Sequence, residues 1–278
     1  MIAGGIATLL VIVPAVAIVL HSVRTKDVEK TVAAPVLTPA VRPAATATAT
    51  PAEQKKPTEI EPDEIKAMVS QLAAQISQKS GYEFGPDLID RIRARSHEYA
   101  DEKGLLAARQ YRREINKSFR DEGLSPLIGY ILAMSRSRFD STSSDKGIGV
   151  WRIPVSVARS QGYLGTGENS AKLKEPEVSA QIAASYSRQL LSAFDPDDFT
   201  YAIGCFGMSL QEAGQLQARL VSANPDPKTR RDINRIMQTH VLTGEQVDNI
   251  ARFFAAGIVG ENPQKFGLLE SQPLSSLY

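Results

Sequence analysis

The chain has 278 residues, with 32 Lys+Arg against 31 Asp+Glu. The resulting net charge of +1 supplies no global field to draw it to nucleic acid. Its 42% hydrophobic and 23% charged residues are ordinary globular usage, which excludes a wholly disordered chain, a collagen and a multi-span transporter. Cys205 is the single cysteine, so an intramolecular disulfide framework and a Cys-rich zinc site are excluded as well. His21, His97 and His240 form no HExxH pair, and neither a metal nor a cofactor is expected.

Residues 1–23 carry no charged side chain, and residues 2–20 read IAGGIATLLVIVPAVAIVL. Nineteen residues rising ~1.5 Å each reach ~28 Å, enough to cross a hydrocarbon core. No Lys or Arg precedes this run, and it is longer than the apolar stretch of a signal peptide. It is expected to be a retained single-span anchor in a cell membrane. Arg24, Lys26 and Lys30 follow it. By the positive-inside rule alone, these place the rest of the chain in the cytoplasm.

Residues 24–58 form a linker. In its 31–58 portion, eight Ala, six Thr and five Pro leave almost no apolar bulk to offset the entropy of ordering. Kept extended by proline at ~3.1 Å per residue, that portion reaches up to ~90 Å.

Residues 59–278 read as an all-α domain. Pro62 opens a helix with Asp63 and Glu64 in its first turn, and Ile65, Met68, Val69, Leu72 and Ile76 mark its buried face. Further helices are expected at about 86–100, 105–121 and 126–138, the last capped by Ser125 ahead of Pro126. Val178, Ile182, Tyr186, Leu190 and Phe194 stripe a long helix starting near Pro176. Asp226-Pro227 opens a helix carrying Ile233, Ile236 and Met237. Thr243 with Gln246 makes a capping box for a last helix, whose buried face is Val247, Ile250, Ala251 and Phe254.

The stretch from Leu124 to Ser209 carries the functional signal. A helix ends in Ser137-x-Phe139, followed by a polar loop and then Gly149-Val150-Trp151-Arg152-Ile153-Pro154. Ala158-Arg159 and Gly162 come next, then the long helix, then AIGCFG. This order, over roughly 85 residues, resembles the soluble lytic transglycosylase (goose-lysozyme-like) family, which cleaves the glycan strands of peptidoglycan. The resemblance implies a lysozyme-like helical domain facing the cell wall, on the opposite side from the one the flanking charges suggest. In that family one Glu before the Ser protonates the glycosidic oxygen. A Gln follows the loop aromatic, and a Tyr-Asn pair lies on the later helix.

Those positions fall here on Arg136, on Arg152 and on Phe206-Gly207. A guanidinium stays protonated at physiological pH and cannot shuttle a proton. The implied reading is a bacterial envelope protein that has lost catalysis at Arg136 and binds peptidoglycan glycan strands or an envelope partner. Ser137, Trp151, Arg152 and Phe206 are its candidate ligand-binding residues. Trp151 is either a sugar-stacking aromatic or a core side chain.

Two other readings stay open. One is an active enzyme with its acid displaced to Asp140, Asp145 or Glu114; the other is a helical interaction module in the cytoplasm. An Arg136–Asp140 pair at i,i+4 is expected to be an ordinary exposed ion pair. If Arg136, Arg138, Arg152 and Arg159 face the old cleft together, the pocket is cationic. The upstream run Arg91, Arg93, Arg95, Arg109, Arg112, Arg113, Lys117 and Arg120, interleaved with acids, reads as a solvated helix face.

Overall fold

The computed structural model describes residues 60–278. The expected anchor (2–20) and linker (24–58) lie outside the described residues. Among those described, no helix is long and apolar enough to cross a membrane.

Eleven α-helices are described: α1 (Pro62–Ser77), α2 (Pro86–Tyr99), α3 (Glu102–Ala108), α4 (Arg112–Asp121), α5 (Pro126–Ser137), α6 (Val155–Ser160), α7 (Pro176–Ser192), α8 (Phe199–Gly204), α9 (Leu210–Ala223), α10 (Ile233–Gln238) and α11 (Gly244–Glu261). No strand longer than an isolated bridge occurs among the described residues, so the domain is all-α.

The capping signals resolve as bonds. Ser125 Oγ accepts from the Leu127 N–H at 3.3 Å, with Pro126 beginning α5. At α11, Gln246 N–H donates to Thr243 Oγ1 at 3.2 Å, and Thr243 N–H donates back to Gln246 Oε1 at 2.9 Å. A second capping box, Ser209 with Glu212, starts α9.

Helices α5 and α11 form the centre. Pro126 through Ser135 are all buried, so α5 has no solvent face over that length. A helix apolar all round belongs in a core. The C-terminal half of α11, from Phe253 to Gly260, is buried as well, and the helix packs against α1, α2, α5 and α8.

Two expected helices are corrected. The 105–121 span breaks at a 3-10 turn over Arg109–Tyr111, with α3 starting earlier at Glu102 under an Asp101 cap. At this break Tyr111 stacks on Phe139, centroids 6.0 Å apart. Asp226-Pro227 opens only a 3-10 turn at Thr229–Arg231, and α10 starts later, capped by Asp232. The intervening chain is held by Arg230, whose side chain is fully buried and takes the carbonyls of Asn224 and Pro225.

Candidate functional site

Helix α5 ends abruptly. Arg138 and Phe139 both take left-handed backbone conformations, φ 55° and 63°, which turn the chain off the helix axis. Such conformations are strained for side chains this large. The burial of Phe139 against Tyr111 offsets that cost. Arg152 is a third such residue at φ 49°. Three of the five non-glycine residues with positive φ among the described residues therefore surround one feature, the loop from Asp140 to Ile153.

That loop closes on itself through paired backbone bonds between Ile148 and Ile153, both 3.1 Å. Gly149, at φ +73°, permits the close approach: a Cβ there would lie 2.1 Å from the Leu173 carbonyl oxygen. The Ser137 hydroxyl donates to the Val150 carbonyl at 2.6 Å and ties the loop to α5. Between the loop, the end of α5, α2 and α11 lies an open groove of about 560 Å³.

The groove brings together Arg136, Ser137, Arg138, Asp140, Asp145 and Arg152 with Glu98 of α2 and Arg252 of α11. With Lys146, five cations face three carboxylates. Arg159 is not part of it: it ends α6 as an exposed residue.

Arg136 sits at the inner wall. Its guanidinium carbon is 5.9 Å from the centre of the Phe206 ring, and Nη1 donates to Asn249 Oδ1 at 3.2 Å. Asn249 in turn donates to the Gly204 carbonyl at 3.1 Å, which fixes its oxygen toward the arginine. Burial pushes the Arg136 pKa below that of a free guanidinium. Arg136 and Phe206 are therefore neighbours in space, though 70 residues apart. Phe206 itself is buried, packed at 5.2 Å on the ring of Tyr186. The Tyr186 hydroxyl accepts from the Gly207 N–H at 3.2 Å and donates to the Met208 carbonyl, so it holds the 205–208 turn in place.

Trp151 needs correcting as a ligand-binding residue. It is wholly buried, and its Nε1–H donates to the Gly129 carbonyl at 3.0 Å, so neither ring face meets solvent. Arg152 is 6% exposed and folds inward. Its Nη2 donates to Asp140 Oδ2 at 3.1 Å, and its Nη1 to the Gly149 carbonyl at 3.4 Å. Asp140 is off the helix, beyond the Arg138–Phe139 turn, and pairs with Arg152 rather than with Arg136.

The Asp140 carboxylate also accepts from the Thr142 N–H at 2.9 Å and its hydroxyl at 2.6 Å. The bonds from Thr142, then Arg152, hold its pKa below the ordinary 3.8. A depressed folded-state pKa stabilises the fold fully above the ordinary value and is lost as pH falls through the folded one. We therefore expect Asp140→Asn to be less stable than the native chain at neutral pH. The gap should close as the pH is lowered past 3.8. Urea midpoints of the two chains measured across that range check it, and a gap unchanged by acid would refute the role of this carboxylate.

The other carboxylates in and near the groove are no better placed. Glu98 lies between Arg95 at 3.0 Å and Arg252 at 3.9 Å. Asp145 is an exposed loop residue. Glu114 is outside the groove, on α4, paired with Arg113 at 3.0 Å. The upstream basic run is largely exposed, except that Arg95 reaches Asp248 of α11 and Arg93 is half-buried beside Asp90.

Asn249 and Arg252, the α11 contribution to this site, are polar interruptions in a helix read for its apolar face. Their i,i+3 spacing, matched with Asp248, is the signal that could have found them. Among the described residues no group of His, Cys, Asp and Glu is arranged to hold a metal ion. Comparison of the chain with family models, with curated proteins and with solved structures gives no match.

Proposed function

We propose that the protein is a membrane-anchored cell-envelope protein whose helical domain binds peptidoglycan glycan strands, or an envelope partner, without cleaving them. In this reading residues 2–20 are the anchor, residues 24–58 the tether, and the groove at the end of α5 the binding face. The observation that carries it is the chemistry at Arg136. The side chain in the register of a transglycosylase acid is a guanidinium, set in the groove beside Phe206 and Gly207. General acid catalysis needs a carboxyl kept protonated by an apolar site near neutral pH. The nearest groove carboxylate on the same segment, Asp140, is instead held ionised by Thr142 and Arg152.

The test is digestion of purified peptidoglycan by the full chain in detergent, at pH values from about 4 to 8, the range in which a tuned carboxyl acts. No anhydromuropeptides are expected, while the protein should sediment with the polymer. Arg136→Glu alone should stay inactive, because Arg152, Phe206 and Gly207 still lack the partners a bound sugar would need. Anhydro products from the native chain would overturn the non-cleaving reading, and failure to sediment would remove the wall as ligand.

A further inference from the structure

Seven arginines among the described residues are not fully exposed: Arg93, Arg95, Arg136, Arg152, Arg230, Arg231 and Arg252. Six have a carboxylate within 4 Å, namely Asp90, Asp248, Asp140, Asp198, Asp197 and Asp248 again. Arg136 has none. Its Nη1 meets only the neutral amide of Asn249, its buried Nε has no partner, and its Nη2 meets no acceptor.

An unpaired cation withdrawn from water is costly, and proteins normally pair or hydrate it. Here the Phe206 ring and a fixed Asn249 oxygen hold the guanidinium in position, while the acid that acts on it most, Glu245 in the first turn of α11, makes no ion pair with it. Nη2 lies close to Gly207, whose φ is +103° and where a Cβ would stand 3.1 Å from it, so a side chain at 207 would crowd the guanidinium. Arg138, Lys146 and Arg252 add positive charge along the same groove, whose 560 Å³ suits a small saccharide or a short peptide.

We infer that Arg136 is the receptor for a carboxylate, and that the groove selects acidic amino sugars or peptide carboxylates over their neutral counterparts. The proposal rests on the reading of this groove as a ligand site, but not on the ligand's being cell wall. A carboxylate at Nη2 gives a charge-assisted bond inside a half-buried site, where such bonds are strongest. The same guanidinium that would block acid catalysis thereby gains a recognition role.

The experiment titrates the full chain in detergent with N-acetylmuramic acid, N-acetylglucosamine and N-acetylalanine, read by calorimetry and by the Arg136 side-chain nitrogen resonance. The two sugars share a ring, and only the first carries a carboxylate. N-acetylmuramic acid is expected to bind at least about tenfold more tightly than N-acetylglucosamine, the scale of one bond to a charged group. Salt should weaken it. Arg136→Gln should erase the preference while unfolding at the same or a higher temperature, because it removes a charge that is withdrawn from water and held in no ion pair.

Equal binding of the two sugars, or an unchanged preference in Arg136→Gln, would overturn the proposal. So would a marked loss of thermal stability in that variant, since it would make the arginine structural. If the acidic sugar fails but N-acetylalanine binds and moves the Arg136 resonance, the carboxylate receptor stands and the wall reading falls. If peptidoglycan is bound equally by the native chain and Arg136→Gln, the wall reading stands and the receptor falls.

Discussion

Replacing Arg230 with alanine is expected to lower the unfolding free energy by about 3–5 kcal/mol, the usual cost of breaking a buried ion pair from one side. The side chain is fully buried, and so is its partner Asp198. Arg230 Nε lies 2.9 and 3.0 Å from the two Asp198 oxygens, while Nη1 donates to the carbonyls of Asn224 and Pro225 at 2.8 and 3.1 Å. Asp195 takes Nη2, and the Tyr201 hydroxyl donates to the Arg230 carbonyl.

Alanine would strand the Asp198 carboxylate in a site where burial already pushes its pKa up. It would also free two carbonyls of the chain between α9 and α10. Arg230→Lys should recover only part of the loss, since an ammonium cannot present the planar fork to Asp198 and both carbonyls at once. Urea unfolding followed by helical circular dichroism measures both variants. A loss under about 1 kcal/mol would mean the pair behaves like a surface bridge.

The second large effect is expected at Trp151. Truncation to alanine should cost about 3–5 kcal/mol, as for other buried aromatic deletions. It removes the largest fully buried side chain among the described residues, together with the bond from its indole N–H to the Gly129 carbonyl. Trp151→Phe should cost less, because most of the volume is kept and only the hydrogen bond is lost. A tryptophan that stacked on sugar would behave oppositely, losing ligand affinity at little cost in stability. Equilibrium unfolding of the two variants, paired with a polymer-binding measurement, separates these outcomes. Unchanged stability in Trp151→Ala would restore the surface role.

Whatever depends on neighbours within four residues was legible in the sequence. The start of α1 at Pro62, the Ser125 cap and the Thr243–Gln246 box were readable because capping and apolar periodicity are local. So was the all-α class.

Three things were decided only by tertiary structure. The expected helix at 105–121 breaks at a 3-10 turn where Tyr111 finds Phe139, a contact across 28 positions that periodicity cannot register. Trp151 turns inward, where its Nε1–H finds the Gly129 carbonyl of α5, a partner 22 positions away that no local pattern announces. Most of all, the arginines could not be sorted from sequence. A guanidinium on a long flexible stem takes whichever carboxylate the fold brings within reach. Arg152 took Asp140 from its own loop, Arg95 took Asp248 from α11, and Arg230 took Asp198 from a turn 32 residues earlier. Arg136 was brought to an amide and a ring instead, and no carboxylate bridges it.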